Sequence, residues 1–274
     1  MIRLFFKIPA FIITLLSYIT ISVIGDLVIT NPVKKRKFFS KITSLGSKLG
    51  LYILGIHVNV CGKSATKQIK PVLQVANHMS YLDILILSSI YPSLYITSVE
   101  LQNTLFLGLM ARLGGSLFVE RRSKTKLIQE IDRIVSVLRK GFTITLFPEG
   151  TSSNGEKVLP FKGALFLTAK RSNVEIQPVC IKYLTINGEP VSPTNRDSVF
   201  YYGDIVFFPH ILKLLMVKRI EVEVTYFDPI KTDGRDRKEL VDISYNKISS
   251  KFMNDYEAQT KIVENTEKCL QKKL

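Results

Sequence analysis

The sequence predicts an α/β domain, a sheet with helices on its faces, carried behind two N-terminal membrane-associated helices. Three observations predict it. Strand-like and helix-like segments alternate over nearly two hundred residues after residue 57. An uncharged apolar stretch lies near the N-terminus, and a basic amphipathic segment follows it. The composition fits: of 274 residues, 46% are hydrophobic and 22% charged, which excludes a disordered or low-complexity chain. A mean hydropathy of +0.17 is too low for a multi-span transporter.

Ile8 to Gly25 carries no charge, and as a helix it would reach about 27 Å, close to the thickness of a bilayer core. Arg3 and Lys7 precede it, while Lys34, Lys35, Arg36, Lys37 and Lys41 follow. In a spanning helix the heavier basic flank would keep the bulk of the chain on the cytoplasmic face, at the inner membrane in a bacterium. No small-x-small cleavage motif precedes the basic cluster, so the segment is expected to remain as an uncleaved anchor. Phe38, Ile42, Leu45, Leu49, Tyr52, Ile53 and Ile56 recur at helical spacing, with Lys41, Ser44 and Lys48 elsewhere on the wheel. That helix either lies in the membrane interface or packs on the domain. The organisation expected is 1–56 anchor and amphipathic helix, 57–235 main domain, and 236–274 polar helical tail.

Within the main domain, residues 58–60 and 71–76 read as short strands, and 81–90 as an apolar helix after a polar turn. Residues 105–113 read as a helix and 116–119 as a buried strand. Leu127, Ile128, Ile131, Ile134, Val135 and Leu138 mark an amphipathic helix, closed by Arg139, Lys140 and Gly141. Residues 142–147 form a strand ending at Pro148, 162–171 a helix, 174–181 a strand, and 220–227 an alternating, half-exposed strand.

The charge balance of +15 points to an anionic partner: nucleic acid, a membrane surface or a phosphorylated substrate. Residues 1–70 hold eleven Lys or Arg against the single acid Asp26, a net +10, which favours an anionic lipid surface over nucleic acid. Cys61, Cys180 and Cys269 have no metal-like spacing and cannot all pair, as expected in a reducing compartment. There is no Gly-x-Ser-x-Gly elbow and no Gly-x-Gly-x-x-Gly. The Gly150–Gly155 spacing of a phosphate loop is followed by Glu156 where a lysine is needed. No cofactor or metal is expected.

Asn77-His78-Met79-Ser80-Tyr81-Leu82-Asp83 follows an apolar strand directly. The spacing places His78 on a strand-to-helix turn and Asp83 in the first helical turn, where a carboxylate is favoured, with Ser80 as the expected cap. An Asp bonded to one imidazole nitrogen fixes the tautomer and leaves the other nitrogen as a general base. Backbone amides at the start of that helix are expected oxyanion donors. By itself the pair also suits a surface His beside a helix start. His57 and His210 lack a partner motif and read as surface or structural residues. Leu101–Leu113 reads as a core helix, with an acyl-tunnel wall as the alternative, and Phe207–Leu215 as a segment able to dip into a membrane interface.

Further blocks follow in order: Gly115-Ser-Leu-Phe118-Val-Glu-Arg121, then Phe147-Pro-Glu149-Gly150-Thr151-Ser152-Ser153, then Pro160-Phe161-Lys162-Gly163-Ala164 and Ile176-Gln-Pro178-Val179. With the His78 block they resemble the glycerolipid acyltransferase family typified by 1-acylglycerol-3-phosphate O-acyltransferase, over about residues 70–205. Tyr202-Gly203-Asp204 resembles a further motif of some bacterial members. The resemblance implies a single catalytic domain with a mixed sheet, glycerol-3-phosphate acyltransferase-like. It implies His78 and Asp83 as the catalytic pair, and Asn77, Arg121, Glu149, Gly150, Thr151 and Lys162 at the substrate. The implied partners are a lysophospholipid acceptor and an acyl-CoA or acyl-carrier protein donor, and the implied product is phosphatidic acid. One departure stands out: Ser152 occupies the place of the family's arginine. Arg122 or Lys162 then compensates, or the acceptor is another lysolipid such as a lyso-aminolipid. A non-catalytic basic protein that binds membranes or nucleic acid is the reading outside enzymes.

Overall fold

The computed structural model describes residues 2–62 and 70–253. Two long helices, α1 (Ile2–Val28) and α2 (Pro32–Leu54), form an antiparallel hairpin. Asn31 caps α2, its Oδ1 accepting from Val33 N and Lys34 N at 3.0 Å, and Pro32 at the first position has no N–H to satisfy. Gly55 ends the helix in the left-handed region at φ 73° and turns the chain directly into the sheet. The hairpin is tight: a Cβ on Gly25 would overlap the Phe38 ring, and Tyr18 Oη and Thr43 Oγ1 are 3.1 Å apart.

Lys7 has a different role from the one its position suggests. Its ammonium donates to Leu54 O at 3.0 Å and Val217 O at 2.6 Å, so it neutralises a helix C-terminus rather than only flanking an apolar span.

The sheet holds β1 (Ile56–Cys61), β2 (Val72–Ala76), β3 (Leu94–Ser98), β4 (Leu117–Val119), β5 (Ile144–Leu146), β6 (Glu175–Ile186), β7 (Glu189–Pro190) and β8 (Ile220–Tyr226). Its order is β1-β8-β6-β2-β5-β3-β4, with β7 pairing β6. Strands β6, β2, β5, β3 and β4 run parallel, and β8 pairs antiparallel with β6. The sheet is therefore mixed, as expected. The central strand β2 is buried along its whole length, as a strand covered by helices on both faces must be. In β8 the alternation is plain: Ile220, Val222, Val224 and Tyr226 face the core while Glu221 and Glu223 do not.

The helices are α3 (Leu82–Ile90), α4 (Val99–Gln102), α5 (Leu107–Leu113), α6 (Lys124–Arg139), α7 (Leu167–Ser172) and α8 (Phe207–Met216), followed by α9 over residues 237–253. Strand β3, absent from the periodicity reading, is a five-residue run too short to show alternation. The helix expected from Lys162 starts later, as a 3-10 turn at Ala164–Phe166 running into α7. The polar tail is helical to residue 253, and its remainder, with Cys269, lies outside the described residues. Among the described residues, Cys61 and Cys180 form no disulfide.

Parallel strands deliver their carboxyl ends to one edge of the sheet, the usual place for a site in such folds. The turns after β2, β4 and β5 carry the three leading motif blocks to that edge. Helix α2 packs on α3 there, and α1 packs on α2, α5 and α8. Gly25→Val is expected to push Phe38 aside and destabilise the protein by about 1–3 kcal/mol. Thermal unfolding of the detergent-solubilised full chain measures it, and an unchanged midpoint would show that the hairpin tolerates a wider spacing.

Candidate active site

The site grows out of the turn between β2 and α3. Asn77, the first residue past β2, donates from Nδ2 to Ile181 O and accepts at Oδ1 from Ile181 N, both at 2.8 Å. It is expected at the substrate, but the structure places it under the turn, fully buried, with its amide spent on tying β2 to β6.

The next residue is His78. Its Nδ1 lies 2.8 Å from Asp83 Oδ2, and because a carboxylate only accepts, Nδ1 carries the proton and Nε2 is left as the acceptor. The ring is partly open to a cavity and stacks on Phe147 at 4.1 Å between centroids. Asp83 has no exposed surface. Besides His78, its Oδ2 accepts from Met79 N at 2.7 Å and Ser80 N at 2.9 Å, and its Oδ1 from Tyr183 Oη at 2.7 Å. Burial and the neighbouring Asp83 push the Tyr183 phenol far up, so it stays protonated as a donor.

One sequence expectation is corrected here and a second is narrowed. Ser80 does not cap α3: its hydroxyl donates to Val199 O at 2.8 Å, and the Asp83 carboxylate gathers the amides of the turn instead. The amides of His78, Met79 and Ser80 are already spent on Glu149 and Asp83, so they are not oxyanion donors.

Glu149 lies beneath the same turn. Oε1 accepts from His78 N at 2.7 Å and Oε2 from Leu159 N at 2.8 Å, so this carboxyl shapes the site rather than lining the cavity. Burial pushes its pKa up to about 8, against the two backbone donors, which favour the anion.

The cationic part surrounds Gly150, which adopts φ 75°. A Cβ there would fall 2.7 Å from Lys162 Nζ and 3.2 Å from Arg121 Nη1, so the two cations flank this residue, whose left-handed φ favours glycine. Arg121 has a buried Nε with no hydrogen-bond partner. Burial pulls its pKa down, with Glu100 acting in the opposite sense, and it remains a cation. Arg122 pairs with Glu100 at 2.9 Å on the exposed surface and does not stand in for the missing arginine. Ser152 donates to Tyr201 O at 2.6 Å and so secures the loop that leads to α8.

These groups open on a cavity of about 430 Å³, within the usual range of ligand pockets, roughly 300–1,000 Å³. His78, Arg121, Gly150, Thr151 and Ser152 line one part of it. The rest is apolar and is walled by Phe11 and Leu15 of α1, Leu82 and Leu85 of α3, and Leu107 and Met110 of α5. The segment read as a core helix is therefore a cavity wall.

The sequence reading missed Tyr183. Of the two readings left open for His210, surface or structural, the second holds: it is buried, and Tyr81 Oη lies 2.9 Å from its Nδ1. No local signal marks either residue, because their partners lie about a hundred positions away. His57 is exposed on β1 and takes no part.

Comparison with known proteins places these features. Residues 57–182 match the acyltransferase family model. The chain is 32% identical over 257 residues to the lyso-ornithine lipid O-acyltransferase of Brucella abortus (strain 2308), covering 90% of this chain and 92% of that protein. It is 33% identical over 201 residues to the protein of the same name from Rhizobium meliloti (strain 1021), covering 70% of this chain and 68% of the relative. A 1-acyl-sn-glycerol-3-phosphate acyltransferase of Neisseria gonorrhoeae is 32% identical over 68% of this chain and 69% of its own. The crystal structure of the 1-acyl-sn-glycerophosphate (LPA) acyltransferase PlsC from Thermotoga maritima shares the fold, with a TM-score of 0.62 at 20% identity, covering 90% and 95% of the two chains.

The Glu149 carboxyl generates a pH dependence. The unfolded chain releases this proton near pH 4.5 and the folded chain near pH 8, so folding holds an extra proton between them. Its contribution to stability therefore falls as pH rises across that window. Urea unfolding at several pH values is expected to show this decline in the parent and a flatter profile in Glu149→Gln. Identical slopes would remove Glu149 as its source.

Proposed function

The chain belongs to the acyltransferase family, and from that premise we propose that it moves a fatty acyl group from an acyl thioester to the sn-2 hydroxyl of 1-acylglycerol-3-phosphate, giving phosphatidic acid. The observation that carries the reading is the meeting of three features in one cavity: His78 with its free Nε2, the cation Arg121 beside Gly150, and a long apolar wall. In this reading His78 Nε2 takes the proton of the acceptor hydroxyl while Asp83 holds the ring and balances the imidazolium. The developing alkoxide attacks the thioester carbonyl directly, and the thiolate of acyl-CoA or acyl-carrier protein leaves. The acyl chain lies along the wall made by α1, α3 and α5. The acceptor phosphate sits between Arg121 and Lys162, whose two positive charges match a phosphate dianion, and it supplies the acceptor that Arg121 Nε lacks.

A second reading rests on Ser152. With its hydroxyl spent on Tyr201 O, the site offers no third cation from this block, which suits a headgroup with a single carboxylate. The names of the Brucella and Rhizobium relatives point the same way, to a lyso-ornithine lipid acceptor. The apolar α1 and the names of the relatives support work at a membrane, and the basic residues Lys34 to Lys37 that follow α1 favour its cytoplasmic face.

Three measurements test these readings. Membranes carrying the protein, given labelled acyl donor and equal amounts of lysophosphatidate and lyso-ornithine lipid, are expected to acylate the lysophosphatidate with the higher kcat/KM; the reverse order establishes the second reading. His78→Ala, folded and membrane-bound, is expected to lose at least about 10²-fold in turnover on every acceptor. Near-normal turnover would sink the mechanism. Arg121→Ala is expected to raise the acceptor KM at least about tenfold with a smaller change in kcat, and Arg121→Lys to recover part of it. An unchanged KM would take the headgroup away from Arg121.

A further inference from the structure

Helix α8 has two unlike faces. Inward, Leu214 and Leu215 are buried, Phe207 and Ile211 line the cavity, and His210 bonds Tyr81 at the start of α3. Outward, Phe208, Leu212 and Met216 are 61%, 58% and 68% exposed. Their spacing of four residues makes one continuous apolar stripe along the helix. Leu105, in the turn before α5, extends the stripe at 90% exposure. Its neighbour Phe106 stacks on Phe207 with ring centroids 5.0 Å apart, which fixes that turn against α8. A helix with one buried face gains nothing in water from a second apolar face, and such a patch marks an interaction surface.

The neighbourhood of the stripe identifies its occupant. Helix α1, long and apolar enough to cross a membrane, packs against α8, and Lys7 of α1 donates to Val217 O just past the end of α8. Phe11 of α1 and Ile211 of α8 line the same cavity. Helix α8 carries the exposed cation Lys213 and no acid, and Lys218 follows it, while the exposed Asp204 precedes it. An apolar stripe beside basic residues and continuous with an apolar anchor is the pattern of a helix lying in an anionic lipid interface.

We propose that α8 is a membrane-docking helix, with Phe208, Leu212, Met216 and Leu105 seated in the headgroup–acyl boundary of an anionic bilayer beside α1. The docked helix is joined directly to the catalytic turn. His210 bonds Tyr81, Tyr201 N donates to Met79 O at 2.9 Å, and Ser80 Oγ donates to Val199 O, so the segment leading into α8 is stitched to residues 79–81. Docking therefore holds the cavity level with the lipid surface, where a lysolipid can enter without crossing water. The inference rests on membrane association but not on the identity of the acceptor.

The test uses the full chain in vesicles of phosphatidylglycerol and phosphatidylethanolamine. In a Cys61→Ser, Cys269→Ser background, a fluorophore is attached at Phe208→Cys or Leu212→Cys, with Lys238→Cys on α9 as the control. Lipids carrying a nitroxide on the acyl chain are expected to quench positions 208 and 212 at least about threefold more than 238. Equal quenching at all three positions overturns the proposal. So does shielding of 208 and 212 by acyl-carrier protein with no quenching by lipid, which would make the stripe a protein-docking face. In a second arm, Phe208→Ser/Leu212→Ser/Met216→Ser is expected to turn over a vesicle-embedded acceptor about tenfold more slowly, while a short-chain acceptor dissolved as monomers reacts at the parental rate. Parental rates on both acceptors overturn the proposal. If the triple variant fails to fold, the quenching result decides alone, because it requires no activity and survives a wrong assignment of the acceptor.

Discussion

The active site depends on one buried carboxylate. Asp83 has no contact with water and accepts from four donors: the imidazole of His78, the amides of Met79 and Ser80, and the phenol of Tyr183. A buried carboxylate with fewer partners would carry a desolvation penalty of several kcal/mol, so the turn is compelled to wrap around it. That wrapping sets the direction of His78, fixes its tautomer and aims Nε2 at the cavity. Since Tyr183 comes from β6, the geometry of the turn depends on the register between β2 and β6, which Asn77 locks through both backbone groups of Ile181. Asn77 thus serves the chemistry without reaching the cavity.

Charge is used sparingly at the site. The chain carries +15, and two of its cations, Arg121 and Lys162, flank Gly150. The buried Nε of the half-buried Arg121 has no acceptor among the described residues, and an unmet buried donor is costly. Glu149 is held apart from these cations by its two backbone donors, and its raised pKa reflects how little solvent reaches the floor of the site.

Legibility from sequence follows the range of each interaction. His78 and Asp83 are five residues apart on one turn, so their pairing could be read directly, as could the alternation in β8 and the apolar period of α6. Interactions across the sheet could not. Tyr183 finds Asp83 only because β6 lies beside β2, and His210 finds Tyr81 only because α8 folds over the start of α3. Asn77 and Glu149 read in sequence as substrate residues, yet both bond backbone, because a motif preserves position without saying whether the side chain faces the cavity or the backbone. Ser80 was expected to cap α3, yet a nearby acceptor, Val199 O, took its hydroxyl and left the amides to Asp83.

The N-terminal hairpin reads in sequence as an anchor, and the fold gives it a second duty. Residues Phe11, Thr14, Leu15 and Tyr18 recur at intervals of three and four and line the cavity, while Ile13, Leu16, Leu27 and Val28 stay exposed. The small residues Gly46 and Gly50 on α2 face the same space, and a Cβ on Gly50 would meet nothing within 4 Å. One helical period thus divides a single apolar segment between lipid and cavity. Lys7 ties that segment to Leu54 and Val217, and so to the ends of α2 and α8. A cavity wall built from an apolar helix offers continuous apolar surface, along which a fatty chain would meet no hydration cost. The helix long and apolar enough to cross a membrane and the cavity are therefore one structural unit, so the residues that face outward along α1 fix the spacing of those that shape the cavity.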